Sequence, residues 1–574
     1  MNFNSLKKNL KKEFSPKHQL KMAILGDTAT QFLSTAIVGY AVEEAIKLDV
    51  YEAPYNQIAL QFKNPMSDLH DFKPNYILIF EAETKLKDDF YKTPTEEKNS
   101  FAQQKIETVK EYSSIAKQLG ATILYFNFCE VNDGVYGNYA AQYPESFIYQ
   151  CRELNFELGK LASETTGFYL VDLLSQQNKY GINFIKDNQL LIQADMYFTL
   201  DFLPLIAKNV IDIIKVRLGD LKKCLILDLD NTTWGGIIGD DGINNIQIGG
   251  LGIGKAFTKL QYWAKELKNR GIILCVASKN TESIALEPFQ QHQEMVLKED
   301  DVSVFMANWD NKVTNIQKIQ EILNIGFDSM VFLDDNPFER EMVKQNLPLV
   351  TVPDLPENPA EYLDYVNSLN LFEAANVTQL DNKRTVQYKE EANRVKAKNY
   401  FDNEDAFLQS LAMTCKVEAI SPFSLPRIAQ LSLRSNQFNL RTIRFDEESL
   451  SNYSNNPNHK VISFSLKDKY GDYGLIAALF LEKRAEELFI ENWIMSCRVL
   501  KRGMEKFTLN YLVEFAKSLG CSKIGGQYLA TPKNALVKEH YKDLGFLANQ
   551  TDDSYWSLDI ANYQPFEVQI QTTI

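Results

Sequence analysis

The chain has 574 residues, of which 45% are hydrophobic and 24% charged, and its net charge is −14. At about 150 residues per domain, this length predicts two to four domains, each with a core of its own. The acidic charge argues against binding to nucleic acid and to anionic membrane surfaces. The longest apolar runs are too short to span a bilayer, and the Lys-rich start from Met1 to Phe14 lacks the apolar stretch of a signal peptide. Seven scattered cysteines without a zinc motif suit a reducing cytoplasm, where we expect the protein to reside.

Strand-like and helix-like segments alternate between residues 20 and 215. The segment from Ser100 to Gln118 has helical periodicity. The apolar runs that predict strands are Met22 to Leu25, Ile77 to Phe80, Thr122 to Phe128 and Tyr169 to Leu173. Such alternation is typical of an α/β layer domain.

The tripeptide Gly26-Asp27-Thr28 at the end of the first strand resembles the opening block of the SGNH hydrolases, with Thr28 where their nucleophilic Ser stands. Those enzymes also need a late Asp-x-x-His, whereas Asp195-Met196-Tyr197-Phe198 has Phe at the His position and all five histidines lie elsewhere. A hydroxyl without a base is a weak nucleophile. The resemblance therefore implies a degenerate hydrolase fold used for docking or for covering a crevice, with residual esterase activity as the alternative.

Four polar clusters lie between Leu221 and Pro353, beside the ends of apolar runs or at the start of a helix. They are Asp228-Leu229-Asp230-Asn231-Thr232 after Cys224 to Leu227, Ser278-Lys279-Asn280 after Ile272 to Ala277, Lys312 at a helix start, and Asp334-Asp335 after Met330 to Leu333. A helical stretch from Ala256 to Asn269 connects the first two. The carboxyl ends of parallel strands line one crevice, where ligands bind. Because like charges in an apolar setting require a cation or a shared proton, the clusters predict chemistry there rather than simple turns.

This ordered set resembles the haloacid dehalogenase superfamily of aspartate-nucleophile phosphotransferases. The resemblance implies that Asp228 attacks phosphorus and becomes an aspartyl phosphate. It also implies that Asp230 protonates the leaving oxygen and later activates water. Ser278 would hold a phosphate oxygen, and Lys312 would neutralise charge on the transferring group.

The same resemblance assigns further contacts to the phosphate and a magnesium site. Thr232 and Lys279 join the phosphate-binding set. Mg²⁺ would be bound by Asp228, the backbone carbonyl of Asp230 and the acidic pair, with Asp335 the direct ligand and Asp334 its neighbour. A hard cation with carboxylate oxygens fits that role.

The intervals between the motifs leave no room for a separate cap domain, since 50 residues separate Asp228 from Ser278 and 56 separate Ser278 from Asp334. A crevice without a lid accepts a large substrate, such as a group carried on another protein, or relies on a neighbouring domain to exclude water. The glycine-rich stretch from Trp234 to Gly242 suits either a mobile flap or a plain β-hairpin.

The longer string DLDNTTWGGIIGDDG, from Asp228 to Gly242, resembles the FkbH-like branch of that superfamily. This branch is associated with natural-product and surface-polysaccharide pathways. Some of its members load a glyceryl group from a phosphorylated glycerate onto the pantetheine thiol of an acyl carrier protein. In that loading pattern a Cys commonly stands between the two aspartates, where this chain has Leu229. Since a thioester cannot form on Leu, the resemblance implies phosphoryl chemistry rather than standard loading.

The last segment, from about residue 400, changes character. Pro353 to Pro359 is typical of an exit from the sheet, and a charged helical stretch from Asp381 to Lys398 leads onward. An antiparallel sheet is predicted by the strands Val461 to Leu466, Gly474 to Leu481 and Leu488 to Met495. Helices are predicted from Arg498 to Leu519 and from Asn534 to Gly545.

This arrangement resembles the GNAT acyltransferase fold, in which backbone amides at a helix start bind the pyrophosphate of coenzyme A. Of the usual Q/R-x-x-G-x-G/A loop, Arg498 and Gly503 match, whereas Lys501 replaces the first glycine. Tyr541 stands where that fold often has its general acid, and simple packing on a helix face is the alternative. The polar cluster from Arg434 to Asn439 either recognises a pantetheine arm or satisfies a turn.

Together these features predict an α/β chain of three domains: an SGNH-like α/β domain at 1–218, a capless haloacid-dehalogenase-like Rossmann core with a parallel sheet at 219–375, and a GNAT-like α+β domain at 376–574. The expected function is a magnesium-dependent phosphatase or phosphotransferase acting on a small phosphorylated acid or sugar in a natural-product or surface-polysaccharide pathway. One alternative is glyceryl or acyl loading onto an acyl carrier protein, and another is a non-catalytic assembly scaffold. The complete set of core motifs argues against the scaffold, and Leu229 argues against standard loading.

Overall fold

The structure, a computed structural model, describes residues 1–374, 390, 394, 403–500, 502–531 and 533–573. The chain divides into two compact units, residues 1–214 and residues 215–574. Among the described helices, none combines the length and the apolar character needed to cross a bilayer. Apart from Glu390 and Arg394, the helix predicted from Asp381 to Lys398 lies outside the described residues, and so does Lys501.

Five parallel strands form the sheet of the first unit. They are β1 (His18–Gly26), β2 (Ile46–Glu52), β3 (Tyr76–Phe80), β4 (Thr122–Phe126) and β5 (Phe168–Val171). Their order across the sheet is β2-β1-β3-β4-β5. Their inner residues are buried on both faces, as parallel sheets covered by helices require.

Eleven helices connect and cover these strands in the first described stretch. They are α1 (Phe3–Asn9), α2 (Gln31–Glu43), α3 (Ile58–Lys63), α4 (Asp68–Phe72), α5 (Glu83–Lys92), α6 (Phe101–Gln118), α7 (Phe147–Glu164), α8 (Leu173–Tyr180), α9 (Ile182–Ile185), α10 (Asn188–Ala194) and α11 (Leu203–Arg217), the last of which runs past the unit boundary. Two short 3-10 helices cover Thr95–Ser100 and Gly137–Gln142.

The four strands predicted in this unit are present, whereas β2 was not predicted. That strand lies at the edge of the sheet, with Lys47 exposed between the buried Ile46 and Leu48, so it lacks a continuous apolar run. The predicted fourth strand also ends earlier than expected, because Leu173 opens α8. There Asp172 caps the helix by accepting a hydrogen bond from the Ser175 backbone N–H.

The second unit contains a four-stranded parallel sheet. Its strands are β6 (Cys224–Leu227), β7 (Ile273–Ser278), β8 (Val304–Ala307) and β9 (Met330–Leu333), in the order β8-β7-β6-β9. Alternate residues face two apolar clusters: Leu225 lies in one, and Ile226 lies in the other. This double burial explains why the strands read as unbroken apolar runs.

Helices cover both faces of this sheet. They are α12 (Ile238–Asp241), α13 (Gly254–Asn269), α14 (Glu282–Gln291), α15 (Lys312–Leu323), α16 (Pro337–Asn346) and α17 (Tyr362–Leu369). Short 3-10 helices cover Glu299–Asp301, Phe327–Ser329 and Pro359–Glu361. Strand β8 was not predicted, because it has only four residues and its two middle side chains are only partly buried. This strand precedes Lys312 and completes the βα unit that places it.

The rest of the second unit is built on an eight-stranded mixed sheet. The strands are β10 (Met413–Ala419), β11 (His459–Asp468), β12 (Gly471–Arg484), β13 (Glu487–Met495), β14 (Lys523–Gln527), β15 (Leu547–Ala548), β16 (Tyr555–Asp559) and β17 (Ile570–Thr573). Their order is β15-β16-β14-β13-β12-β11-β10-β17. Neighbours run antiparallel except β13 with β14 and β10 with β17.

The helices on this sheet differ in part from the prediction. They are α18 (Glu404–Ser410), α19 (Leu425–Arg434), α20 (Glu447–Asn455), α21 (Met504–Ser518) and α22 (His540–Asp543), with 3-10 turns at Cys497–Val499 and Ala535–Val537. The helix predicted from Asn534 to Gly545 is reduced to the second 3-10 turn and the four residues of α22. The buried amide of Asn534 donates to the carbonyls of Asn439 and Leu529, which fixes a loop where the helix was expected.

Candidate functional site

The polar clusters of the second unit meet at one edge of the four-stranded sheet. Asp228 follows β6 directly, Ser278 is the last residue of β7, and Asp334 follows β9 directly. Lys312 opens α15, with Asn311 capping the helix by accepting from the Thr314 backbone N–H. Since all four strands are parallel, these residues converge at the carboxyl edge, as the sequence predicted.

Lys312 is the positive centre of this site. Its ammonium lies 2.5 Å from Asp228 Oδ1 and 3.2 Å from Asp334 Oδ2, and it donates to the carbonyl of Ala277 at 2.8 Å. The side chain is only 2% exposed. Burial alone would lower its pKa, but the Asp228 and Asp334 carboxylates raise the pKa above its ordinary value. Lys312 is therefore a fixed cation.

Three carboxylates surround one small volume beside this cation. Asp228, Asp334 and Asp335 each offer an oxygen within 4.8 Å of the others. Burial first, and the charge of Asp228 second, raise the pKa of Asp334 to about 7 and also raise the pKa of Asp335. Burial and the neighbouring carboxylate therefore disfavour the charged forms of Asp334 and Asp335 more than Lys312 favours them.

Two neighbouring side chains hold the acidic pair in place. The hydroxyl of Thr232 donates to Asp335 Oδ1 at 3.1 Å and accepts from the Asp335 backbone N–H at 3.0 Å. Arg340 donates to the carbonyls of Asp334 and Asp335 at 2.9 and 2.6 Å. Thr232, which was predicted to contact the phosphate, is therefore hydrogen-bonded to Asp335 in the structure. The contacts of Arg340 were not predicted.

Asp230 is held apart from the cluster by three donors. Its Oδ1 accepts from the indole N–H of Trp234 and from the Ile238 backbone N–H, both at 3.0 Å, and its Oδ2 accepts from Asn280 Nδ2 at 2.9 Å. Asn280 also donates to Ser278 Oγ at 3.2 Å. No role was predicted for Trp234 or Asn280, although Trp234 lies in the string from Asp228 to Gly242 and Asn280 follows Ser278 and Lys279.

The two remaining predicted contacts differ in their surroundings. Ser278 is buried beside Asn280 at the end of β7. Lys279, the next residue, points its ammonium to Glu339 Oε1 at 2.5 Å and remains partly exposed. The structure thus brings Ser278 to the acidic edge but pairs Lys279 with a helix residue.

The glycine-rich stretch after Asp230 is anchored at its start. Trp234 is fully buried and packs edge-on against Phe289, with ring centroids 6.0 Å apart. Gly235 exchanges two backbone hydrogen bonds with Gln247, and α12 lies between them. A side chain at Gly235 would collide with the Phe257 ring at 2.7 Å. The stretch is thus a helical turn closed by one pair of backbone hydrogen bonds, and not the plain β-hairpin that was one of the two expectations.

The donor set fits a divalent cation. Three carboxylate oxygens converge while one ammonium faces them, which leaves an excess of negative charge. Oxygen ligands of this kind suit hard cations. The side chain of Asp230 is not part of this group and is already hydrogen-bonded, and the metal role of its backbone carbonyl stays a prediction.

Comparison with known proteins places this geometry in a family. Residues 21–215 match the family model described as "FkbH, N-terminal domain". The solved N-terminal part of the protein BF1531 from Bacteroides fragilis, described as containing a phosphatase domain complexed with Mg, is 47% identical to the chain. That match covers 66% of this chain and 100% of the other, with a TM-score of 0.64. This chain belongs to the FkbH-like family.

The FkbH-like protein accordingly carries a haloacid-dehalogenase-type core in its four-stranded parallel sheet. Other solved structures match a quarter of it. The ribosomal-protein-S18-alanine N-acetyltransferase from Escherichia coli is 13% identical, with 26% of this chain and 97% of that chain covered and a TM-score of 0.21. The GNAT domain of S. lividans PAT is 13% identical, with 25% and 89% covered and a TM-score of 0.20. A search of curated proteins gave no match.

The residues predicted to bind an acyl group or coenzyme A lie in three different elements of the FkbH-like protein: a 3-10 turn, the start of α21, and α22. Arg498 is buried and its Nε donates to Ser496 Oγ at 3.2 Å. Gly503 precedes α21 with a φ of 80°, a left-handed conformation that glycine adopts without strain. Tyr541 lies in α22, fully buried, and burial raises its pKa far above the ordinary value.

Proposed function

We propose that this FkbH-like protein is a magnesium-dependent phosphatase or phosphotransferase that uses Asp228 as its nucleophile. The observation that carries the proposal is the buried cluster of Asp228, Asp334 and Asp335 around Lys312 at the carboxyl edge of the sheet. The Mg-complexed phosphatase domain of the 47% identical relative supports it. The proposal includes the three-domain division at 1–218, 219–375 and 376–574, with SGNH-like and GNAT-like flanking domains. It also includes a cytoplasmic location. This part of the proposal is supported by the seven cysteines, which are all free thiols.

The side chains that would hold Mg²⁺ are Asp228 and Asp335, with the backbone carbonyl of Asp230 and with Asp334 close by. When bound, the ion would offset the charge of the cluster and of the phosphate oxygens. Thr232 keeps the Asp335 carboxylate oriented, and Arg340 holds the backbone carbonyls of Asp334 and Asp335.

In the proposed first step, an Asp228 carboxylate oxygen forms a bond to phosphorus as the bond to the leaving oxygen breaks. Lys312 neutralises charge on the group that is transferred, and Ser278 donates to one of its oxygens. Asp230 gives its proton to the leaving oxygen. In the second step, Asp230 takes a proton from water, the water oxygen bonds to phosphorus, and Asp228 is released with inorganic phosphate.

The surroundings of Asp230 suit this second role. Its carboxyl group lies outside the three-carboxylate cluster and is oriented by Trp234, Ile238 and Asn280. A carboxyl group that acts as general acid and base must be held in one orientation and must not be coordinated to the metal ion. The two aspartates of the motif therefore have different environments, and different environments allow different tasks.

The substrate we propose is a small phosphorylated acid or sugar of a natural-product or surface-polysaccharide pathway, which the FkbH-like resemblance supports. The test is incubation of the full chain with Mg²⁺ and a panel of phosphorylated hydroxy acids and sugars, beside Asp228→Asn. We expect phosphate release by the wild type, none by the variant, and a trapped aspartyl-phosphate analogue with beryllofluoride. Absence of both release and trapping in the wild type would refute the proposal. Exposed Asp310→Asn is a matched control and should keep full activity.

A second candidate function is acyl or glyceryl transfer to an acyl carrier protein. It is favoured by a group of buried polar atoms without hydrogen-bond partners: Gln437 Oε1, Asn439 Oδ1, Trp493 Nε1, His540 Nε2 and Tyr541 Oη. The His540 ring lies 4.6 Å from Trp493 and 5.7 Å from Tyr541, so at least these three belong to one cluster. Buried polar atoms without partners are costly unless a ligand satisfies them.

These groups lie where two strands separate. The parallel pairing of β13 with β14 stops at Ile490 and Gly526, whereas β13 continues to Met495. Gly526 allows the Tyr541 hydroxyl to approach, because a Cβ there would come within 2.3 Å of it. Intact mass of a carrier protein after incubation with phosphoglycerates decides this candidate. A glyceryl mass that appears with the wild type and is lost with Tyr541→Phe supports it, and an unchanged carrier mass contradicts it.

A further inference from the structure

A cavity of about 240 Å³ opens in the first unit at the carboxyl end of β1. The residues that line it include Thr28, Gln31, Ala53, Tyr55, Ala194 and Asp195. Pockets for drug-sized ligands measure roughly 300–1,000 Å³, so this cavity suits a smaller molecule. Small side chains make most of its wall, and the polar residues among those that line it are Thr28, Thr30, Gln31, Tyr55 and Asp195.

The cavity lies outside the carboxyl ends of the neighbouring strands β1 and β2. In the order β2-β1-β3-β4-β5, β2 lies on one side of β1 and β3 lies on the other. Gly26, the last residue of β1, and Ala53, which follows β2, both line the cavity. In open parallel sheets, ligands bind outside the carboxyl ends of the strands, and this cavity opens at that edge.

Thr28 lines this cavity and carries an unsatisfied polar group. The residue is 2% exposed and its hydroxyl has no hydrogen-bond partner. A buried hydroxyl without a partner is destabilising, and native structures rarely tolerate one without a reason. A ligand oxygen in the cavity would supply the missing partner.

The start of α2 adds a positive potential on the same side. This helix has 13 residues and begins at Gln31, which lines the cavity together with Thr30. Thr30 makes no side-chain cap, because its hydroxyl donates to Glu52 Oε2 at 3.1 Å instead. The first N–H groups of an uncapped helix favour a negatively charged oxygen.

The opposite rim carries a charged triad. The Tyr55 hydroxyl donates to Asp195 Oδ2 at 2.7 Å, and Lys85 Nζ lies 3.2 Å from Asp195 Oδ1. Lys85 also donates to the Tyr55 hydroxyl at 3.1 Å. The ammonium offsets the carboxylate, so the rim offers hydrogen-bond acceptors for hydroxyl groups without repelling an anion strongly.

Other buried groups near Thr28 argue for binding rather than hydrolysis. Both Asp27 oxygens accept from the Ala82 backbone N–H, and burial first and Glu81 second raise the pKa of Asp27 to about 8, so it adds little negative charge near neutral pH. Phe198 packs its ring 4.6 Å from that of Phe80 and offers no base. Without a base, the Thr28 hydroxyl is a hydrogen-bonding group and not an activated nucleophile.

We propose that this cavity binds a small hydroxylated oxyanion, with a carboxylate or phosphate head between Thr28 and the start of α2 and with its hydroxyl groups at Asp195 and Tyr55. The site is separate from the phosphatase chemistry proposed above and does not depend on it. Its role is recognition of the molecule, with no bond made or broken.

The test is calorimetric titration of the full chain, stripped of metal ions on a chelating resin so that the acidic core cluster repels anions. The probes are inorganic phosphate, glycerate, 3-phosphoglycerate and neutral glycerol. We expect saturable binding of one molecule per chain for at least one anionic probe, and phosphate and glycerate separately report which head group is recognised. Binding of glycerol alone, or of none of the probes, would overturn the proposal.

Variants locate the binding. Thr28→Val should weaken it at least about tenfold, the loss expected for a hydrogen bond to a charged group, and Thr28→Ser should restore it. Ala194→Phe should block the cavity from an exposed position that tolerates the larger side chain. Thr166→Val, an exposed site before β5, is the matched control. If Thr28→Val and Ala194→Phe bind as the wild type does, the anion binds elsewhere and the proposal is wrong.

Discussion

Replacing Lys312 by Met tests the electrostatic reasoning about the core most directly. Its ammonium contacts Asp228 and Asp334 and donates to the carbonyl of Ala277, all within 3.2 Å. Met fills a similar volume but carries no charge. The change therefore leaves two buried carboxylates facing each other without the cation that lies between them.

Removing one partner of a buried ion pair costs about 3–5 kcal/mol of folding free energy, because the other charge stays buried. Lys312 is 2% exposed and Asp334 is 0% exposed, so solvent screening reduces this figure little. The pKa of Asp334, already raised to about 7, should rise further without the ammonium. The variant should accordingly be less stable at pH 8 than at pH 5, where the carboxyl group is protonated, and Mg²⁺ should restore part of the loss.

Urea unfolding followed by tryptophan fluorescence measures the stability, and phosphate release measures kcat. We expect kcat to fall about 10²–10³-fold, as when a donor to developing charge is removed. Lys318→Met, which removes an exposed lysine of the same helix paired with Asp310 at 2.7 Å, is the control and should change neither quantity. If Lys312→Met unfolds like the control at pH 8, or if Mg²⁺ leaves its stability unchanged, the account of the cluster is incorrect.

Three further predictions concern other residues. Burial, and then the charge of Glu81, raise the pKa of Asp27 from 3.8 to about 8, so the folded state holds this proton more tightly. The free energy of unfolding should therefore fall as pH rises through that interval, and Asp27→Asn should abolish a fall of at most about 6 kcal/mol in a urea series. Asn280→Ala removes a donor to Asp230 and should lower kcat about tenfold with unchanged Mg²⁺ affinity; a parallel loss of Mg²⁺ affinity would argue against a positioning role. Asp335→Asn should weaken Mg²⁺ binding at least about tenfold by calorimetry, and unchanged binding would remove this residue from the ligand set.

The sequence was sufficient to predict the position of the core site. Asp228, Ser278 and Asp334 each stand at the end of a run that is apolar on every residue, and such runs indicate strands buried on both faces. Once the strands are parallel, their carboxyl ends share one edge without any knowledge of loop geometry. Short or half-exposed strands such as β2 and β8 carry no comparable signal, which is why they were missed.

Side-chain partners were less predictable than positions. Asn280 reaches Asp230 across 50 residues of sequence, and the contact depends on how two loops turn after β6 and β7. Lys279 was expected at the phosphate, but successive residues of an extended chain point to opposite sides, and it pairs with Glu339. The spacing of residues along the chain predicts the strand end at which a residue lies. Its hydrogen-bond partners can be predicted only when the conformation of the following loop is known.

Because successive side chains of an extended chain point to opposite sides, the position of Leu229 bears on the choice between phosphatase and loading chemistry. The residue lies between Asp228 and Asp230, yet it is fully buried in the apolar cluster that also contains Trp234. Its carbonyl accepts from the backbone N–H groups of Thr232 and Thr233, so the loop is fixed around it. In this conformation residue 229 faces the core while the carboxylates on either side face the crevice. A Cys in its place would also be buried unless the loop turned, so acquiring a loading thiol would require a change in the loop as well as in the side chain.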